Sequence, residues 1–407
     1  MPIKARRIIN DLKKLAQYGK SDNGISRFAF LKDERNALKF IEELMKKNNM
    51  KTKIDNAGNL MGIYGNKDMP SVSMGSHIDT VRNGGKYDGS IGVIGGIEVI
   101  RAIREDKEKI NNPIEVIVFS EEEGARFPFG LFGSCVLTNG LTKSVIKKIR
   151  DDRNTSLYEA LQCVGLKPEK IEYCKRDESE IKSFIELHIE QGRVLEEKNL
   201  PIGIVSAISG QITIRTKIKG QADHAGATPM ELRKDALVAA SDIILKSEKI
   251  AIETGENTVV TVGSINIAPN VSNIIPGEVT ITFDIRDVNK KNMIDAKNKI
   301  YKLIENVCTK RKLKNEIEIL EQHFPKKTSA KINNILCTSF QKLNYPIYKM
   351  MSGAVHDALN MIDYTETGMI FVRSKDGISH SPEEYSSIDD IVKGVKVMKE
   401  AVLKLAN

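Results

Sequence analysis

The run IEVIVFSEEEGARF, residues 114–127, constrains the chain more than any other stretch. A short run dominated by branched apolar residues reads as a strand buried in a sheet, yet this one ends in three consecutive glutamates. Neighbouring like charges repel and raise one another's pKa values, and a bound dication removes that penalty. A solvated charge run is the plain alternative, and the apolar strand in front of it argues the other way. Oxygen and imidazole ligands suit zinc, manganese, nickel or cobalt, so ligand type alone does not choose the ion. If one carboxylate holds a metal and its neighbour stays free, the free one can act as general base on water, the pattern of metal-assisted hydrolysis.

The same kind of run recurs at 71–76 (SVSMGS) and 183–189 (SFIELHI), with a hairpin over 51–64 turning at Asn56-Ala57-Gly58 and a helix near 91–105. Strands alternating with helices predict an α/β layer architecture whose ligands lie at strand ends. Near residue 208 the pattern changes. A strand at 211–219, a helix at 231–249, strands at 257–267 and 278–286, a helix at 289–307 and a strand at 315–321 give the βαββαβ order of a small self-contained domain. A strand near 367–372 then resumes the first pattern. The predicted organisation is a catalytic domain made of 1–207 and 325–407, interrupted by an inserted domain at 208–324.

Composition narrows the partners. The 407 residues are 41% hydrophobic and 29% charged, an ordinary globular balance. The net charge of +8 is scattered in pairs such as Lys13-Lys14, Lys46-Lys47 and Lys290-Lys291, without the basic stripe and aromatic platforms of a nucleic-acid binder. Five cysteines with no CxxC spacing are expected to be reduced thiols of a cytoplasmic protein. The N-terminal MPIKARRIINDLKKLAQYGK has helical periodicity without the apolar core of a signal peptide, and no stretch approaches the ~20 apolar residues of a membrane span.

Six histidines occur: His77, His188, His224, His323, His356 and His380. Four stand in acidic or glycine-rich contexts at predicted element ends. In VSMGSHIDTVRNGGKYDGS, residues 72–90, His77, Asp79 and Asp88 share one loop-rich passage. Turn chemistry accounts for Asp and Gly there; together with the glutamate run, a metal site accounts for all three.

The motifs GSHIDT, GGKYDGSIGV, SEEEGARF, ELHIEQGRVLE, ADHAGATPM, SNIIPGEV followed by DIR, SGAVHDA and ISHSPEE run in this order over nearly the whole chain. In this the chain resembles the hydantoinase/carbamoylase family of amidohydrolases. That family contains N-carbamoyl-L-amino-acid hydrolases, allantoate amidohydrolases and β-ureidopropionases, and is related to the dinuclear zinc aminopeptidases. The resemblance implies a dinuclear-zinc-peptidase-like α/β catalytic domain with an inserted ferredoxin-like lid and dimerisation domain, two divalent metal ions (Zn, Mn, Ni or Co), a homodimer, and a small ureido acid as substrate.

Residue by residue, the resemblance implies that His77 and His188 hold one ion, Glu123 and His380 the other, and Asp88 bridges them. Asp79 would orient the His77 imidazole through its carboxylate. Glu122, just before the metal glutamate, would be the general base, leaving Glu121 a bystander. His224 would stabilise the oxyanion in the partner subunit's site. Asn273 and Arg286 would bind the substrate carboxylate, which the planar guanidinium fork suits. Gln191, Gly353, Ala354 and His356 would line the pocket. Arg286 has a plain alternative as a strand ion pair with Asp284 or Asp287, and Asn273 as a turn residue before Ile274-Ile275-Pro276. Val355 stands where most relatives carry glycine and narrows that loop; His323 matches no motif and reads as structural. The implied reaction cleaves the carbamoyl or ureido C–N bond of an N-carbamoyl-L-amino acid, releasing the amino acid, ammonia and carbon dioxide. Allantoate, β-ureidopropionate or ureidoglycolate would be alternative substrates, and an aminoacylase or peptidase of the same fold a remoter one. A non-catalytic binding protein would need a lost ligand or base, and every matching position is filled.

Overall fold

A computed structural model describes residues 3–66 and 68–407. The chain forms two compact units, one running up to Ser206 and resuming over Lys327–Asn407, the other spanning Ala207–Lys326.

The first unit is built on a nine-stranded mixed sheet. Its middle order is Ile202–Ile208, Glu366–Val372, Ile181–Ile189, Ser71–His77, Ile114–Phe119, Leu60–Tyr64, Lys51–Ile54. Four of these, from Glu366–Val372 to Ile114–Phe119, run parallel. The outer pairs are antiparallel. Strands buried on both faces need continuous apolar sequence, and Ser71–His77 and Ile114–Phe119 are buried along their whole length. The helix Ser90–Asp106 is buried over most of its circumference. It packs on the sheet beside the C-terminal helix Ile388–Ala406, with Ile91, Ile94, Val395 and Met398 in one core cluster. A helix so enclosed reads as apolar all round instead of amphipathic. None of the described helices is long and apolar enough to cross a membrane.

The second unit has the element order strand Gly210–Lys219, helix Ala236–Thr254, strands Val259–Ala268 and Glu278–Asp287, helix Lys290–Lys310, strand Lys314–His323. Its four-stranded antiparallel sheet is ordered Val259–Ala268, Glu278–Asp287, Gly210–Lys219, Lys314–His323. Ile212, Ile214, Val279, Ile281 and Phe283 alternate onto the face covered by the two helices, as period-2 strands require. The first of these helices begins five residues later than the periodicity predicts. Asp235 caps it by accepting from the backbone N–H groups of Leu237 and Val238, and such a cap fixes the start more strongly than the apolar pattern. The preceding Met230–Leu232 forms a single 3-10 turn instead.

Candidate active site

Register brings the chemistry together. Ser71–His77 and Ile114–Phe119 are parallel with His77 opposite Phe119, so the chain leaves the second strand into Ser120–Glu123 at the level of the first histidine. His188 lies one residue before the end of the adjacent strand Ile181–Ile189. Asp88 precedes Gly89, whose φ of 59° and ψ of −45° start the helix Ser90–Asp106. The carboxyl ends of parallel strands therefore converge on one place, where open α/β sheets hold ligands.

Asp88 is its centre. Its Oδ1 lies 3.0 Å from His188 Nε2 and 3.5 Å from His77 Nε2. Its Oδ2 lies 3.5 Å from His380 Nε2, which is itself 3.4 Å from Glu123 Oε2. Two groups whose donor atoms lie close enough to share an ion, His77–Asp88–His188 and Asp88–Glu123–His380, meet at the one carboxylate of Asp88, and Glu186–His188–His356 forms a third beside them. Glu122 stands beside them with Oε2 3.5 Å from His77 Nε2.

The electrostatics ask for positive charge. Burial, then Asp88, pushes Glu123 up to about 7. Burial raises Glu122 well above the carboxylate range, with Asp357 and Glu123 adding to it against the opposing pull of His77. Burial alone would lower His77, but Glu122, Asp88 and Asp79 hold its imidazole well above the usual histidine range. Three imidazoles and two carboxylates facing one another fit ions that accept both nitrogen and oxygen. Among the described residues the buried Asp79 Oδ1 and Gln191 Oε1 also lack hydrogen-bond partners.

The supporting shell departs from the sequence reading in two places. Asp79 was expected to orient His77 through its carboxylate. Instead the His77 Nδ1 lies 3.0 Å from the Asp79 backbone carbonyl and 3.6 Å from Oδ1, because Oδ2 accepts from the Glu123 backbone N–H at 3.1 Å. Asp79 thus ties the histidine loop to the glutamate run. Glu121, expected to be a bystander, is buried with φ of 50°. Its Oε1 accepts from the N–H groups of Arg126 and Phe127, at 3.2 and 2.7 Å. It caps the loop that aims its neighbours inward, and burial pushes it up to about 8.

Two contributors escape sequence reasoning. Glu384 is buried, and its Oε1 accepts from the N–H groups of Tyr87 and Asp88, at 2.8 and 3.1 Å. Ser379 donates to Asp88 Oδ2 at 2.9 Å. The ISHSPEE motif contained both, but only His380 in it stood out as a ligand type. Gln191 is close at hand, donating from Nε2 to Asp88 Oδ2 at 2.8 Å.

The loop after strand Lys349–Ser352 holds the remaining pocket candidates of this unit. A side chain added at Gly353 would meet open space, while Ala354 is held by Ser352 Oγ, which donates to its carbonyl and accepts from its N–H. His356 is buried. Its ring stacks edge-on against His188 with centroids 4.5 Å apart, and its Nε2 lies 2.8 Å from Ser352 Oγ. This position backs the His188 ring.

In the second unit, the two-residue strand Asp223–His224 pairs antiparallel with Ile274–Ile275, which places His224 beside Asn273. The N–H of Ala225 donates to the Asn273 carbonyl at 3.0 Å. His224 is exposed, and its Nδ1 accepts from the N–H groups of Gly226 and Ala227, both at 3.1 Å. The neutral ring therefore carries its proton on Nε2. Arg286 makes the strand ion pair that the sequence left as its alternative, Nε to Asp284 Oδ1 at 2.8 Å and Nη2 to Oδ2 at 3.0 Å. Asp284 is held in turn by Gln211 Nε2 at 2.8 Å. His323 is paired with Glu321.

An α/β sheet carrying imidazoles, a shared carboxylate and an adjacent free glutamate at its strand ends defines the class of metal-dependent hydrolases. The model of peptidase family M20/M25/M40 matches residues 74–404, and the chain belongs to that family. It is 41% identical to an N-carbamoyl-L-amino-acid amidohydrolase of Pseudomonas sp. (strain NS671), over 99% of this chain and 98% of that protein. It is 38% identical to the N-carbamoyl-L-amino acid amidohydrolase of Geobacillus stearothermophilus, over 99% of each. The crystal structure of a hydantoinase/carbamoylase family amidase from Burkholderia multivorans superposes with a TM-score of 0.88 at 29% identity, covering 100% of this chain and 98% of that one.

Proposed function

We propose that the protein is a metal-dependent amidohydrolase that cleaves the carbamoyl C–N bond of an N-carbamoyl-L-amino acid. The observation that carries this reading is the pair of ligand groups meeting at Asp88 with Glu122 alongside. The names of the full-length relatives supply the substrate class.

In this reading His77, His188 and Asp88 would hold one divalent ion, and Asp88, Glu123 and His380 a second, drawn from Zn, Mn, Ni or Co. When bound, such ions would supply polarisation of the carbamoyl carbonyl and acidification of a water, easing loss of its proton near neutral pH. Glu122 takes that proton as water adds to the carbonyl carbon, and returns it to the nitrogen that leaves. The atoms of one water are thereby divided between an amine and a carbamate fragment, which falls to ammonia and carbon dioxide. His224 donates from Nε2 to the developing oxyanion, a role that its backbone-fixed tautomer supports. Arg286 and Asn273 bind the substrate carboxylate. Gln191, Gly353 and Ala354 line the pocket, with His356 behind His188.

The residues 208–324 act as the lid and dimerisation domain between catalytic segments 1–207 and 325–407. Val238, Leu245 and Ile252, seven residues apart on the helix Ala236–Thr254, are exposed, and Val259–Ala268 is an edge strand. An apolar stripe and an open edge are surfaces that a second copy would cover, which supports a homodimer. Cys163, Cys174, Cys308 and Cys337 are free thiols, which supports a reducing, cytoplasmic setting.

The test is ammonia release from a panel of N-carbamoyl-L-amino acids, N-carbamoyl-β-alanine, allantoate and ureidoglycolate, with acylated amino acids and dipeptides as controls. Turnover of the carbamoyl amino acids, abolished by chelation and restored by a divalent ion, is expected. Hydrolysis of the controls alone, or full activity in verified metal-free protein, would overturn the reading.

A further inference from the structure

Arg27 has no part in the mechanism above, and it is among the largest fully buried side chains of the protein. A buried guanidinium is costly unless its donors are satisfied. Burial lowers its pKa only to about 10, with Asp79 and Glu34 opposing the shift, so it remains charged at neutral pH. What it holds is informative. Nε donates to the carbonyl of Ile78, the residue between His77 and Asp79. Nη2 reaches Ser90 Oγ at 3.4 Å, two residues beyond Asp88. Nη1 donates to the carbonyls of Leu15 and Tyr18, at 3.0 and 3.1 Å. One planar side chain therefore joins the entry and the exit of the loop that carries His77, Asp79 and Asp88, and anchors both to the N-terminal helix region.

The backbone around Arg27 continues the pattern. Its N–H donates to Thr80 Oγ1 at 2.9 Å, and its carbonyl accepts from the Thr80 N–H at 3.1 Å. Thr80 Oγ1 donates on to the Ile25 carbonyl at 3.2 Å. Ile25 and Gly84 exchange two backbone hydrogen bonds, at 3.0 and 2.8 Å. Asn83 N–H donates to Ser26 Oγ at 2.9 Å. Residues 24–27 thus form a strap bonded to the start, middle and end of the loop.

We propose that the Gly24–Arg27 strap, with Arg27 as its fork, is a positioning device that holds His77 and Asp88 in ligand geometry before any ion arrives. The inference rests on the metal-site reading above. Lysine could keep the charge but has no planar fork with which to reach Ile78, Ser90 and the two helix-end carbonyls together. Loss of a group that orients a ligand typically weakens metal binding about 10–100-fold.

The test titrates Zn2+ into metal-free wild type, Arg27→Lys, Arg27→Met and Thr80→Val by calorimetry, well below the melting temperature of each as read by circular dichroism. Wild type is expected to bind two equivalents; if it binds none, the metal-site reading fails and not the strap. Both Arg27 variants, while folded, are expected to bind Zn2+ about 10–100-fold more weakly. Full-affinity binding of two equivalents by folded Arg27→Met would overturn the proposal. Should the Arg27 variants not fold, Thr80→Val decides. It removes the hydroxyl bonds to Arg27 and Ile25 but keeps the buried guanidinium, and a several-fold weaker affinity is expected; an unchanged one would overturn the strap.

Discussion

Gly89→Ala is the most economical probe of the candidate site, because it adds one carbon at a known place. A Cβ built on Gly89 would lie 2.5 Å from both Cδ2 and Nε2 of the His77 ring and 2.6 Å from Cε1. Ordinary carbon contacts begin near ~3.5 Å, so either the ring or the backbone must move by about 1 Å. The backbone is poorly able to move, since its φ of 59° with ψ of −45° is a conformation for glycine. Strain of about 1–3 kcal/mol and overpacking of about 1–3 kcal/mol together predict about 2–6 kcal/mol of destabilisation. A displacement near 1 Å at a reacting centre costs about 10²-fold in rate. Gly165→Ala is the matched control. Gly165 also has positive φ, 81°, but a Cβ there meets nothing within 4 Å, so it carries backbone strain alone. The assays are urea denaturation, metal content by mass spectrometry after dialysis, and ammonia release. Gly89→Ala is expected to lose metal and about 10²-fold or more of activity, with Gly165→Ala keeping both. Full metal content and near-normal turnover in Gly89→Ala would refute the placement of His77 Nε2 against residue 89.

Three further outcomes follow from the site. Glu122→Gln should keep fold and metal while losing about 10²–10⁴-fold in turnover, whereas Glu123→Gln should lower metal occupancy; an exchange of these phenotypes would move the general base by one residue. Arg286→Ala should abolish most of the preference for a carbamoyl amino acid over its carboxamide, and Arg286→Lys should remain impaired for want of a fork; undiminished discrimination in the alanine variant would place carboxylate recognition elsewhere. Mixing His224→Ala with Glu122→Gln, each inactive alone, should restore partial activity as subunits exchange, and no recovery despite exchange shown by mass spectrometry would put His224 in its own subunit's site.

The strands of the sheet were legible because their sequences are locally sufficient. Val72, Met74, Val116 and Val118 lie in runs whose apolar density leaves no other use, and the structure buries them together. The candidate ligands came from the ordered motifs of the resemblance, and the structure brings His77, Asp88 and His188, and Asp88, Glu123 and His380, within reach of one another. The groups that hold them were not legible, because their meaning lies in distant backbone. Glu384 accepts from Tyr87 and Asp88 across nearly three hundred residues, and no periodicity links SPEEY to GGKYDG. The strand Ile202–Ile208 escaped notice as well, although IGIVSAI is apolar, since it follows directly on a loop read for its ligands.

Asp79 shows how the two kinds of residue meet. A carboxylate two positions after a candidate metal histidine invites the expectation that it steadies the ring. The structure gives that task to the Asp79 carbonyl and spends the carboxylate on the Glu123 backbone. The same residue thus ties together the loops that leave two strand ends already set side by side by register, and Arg27, bonded to the neighbouring Ile78 carbonyl, fixes the coupling from behind. A candidate ligand set can therefore be proposed from ordered motifs, while its geometry depends on which backbone groups remain for the supporting side chains to bind. Substitutions in that support, at Arg27, Asp79 or Glu384, should alter metal affinity before they alter the chemistry of Glu122.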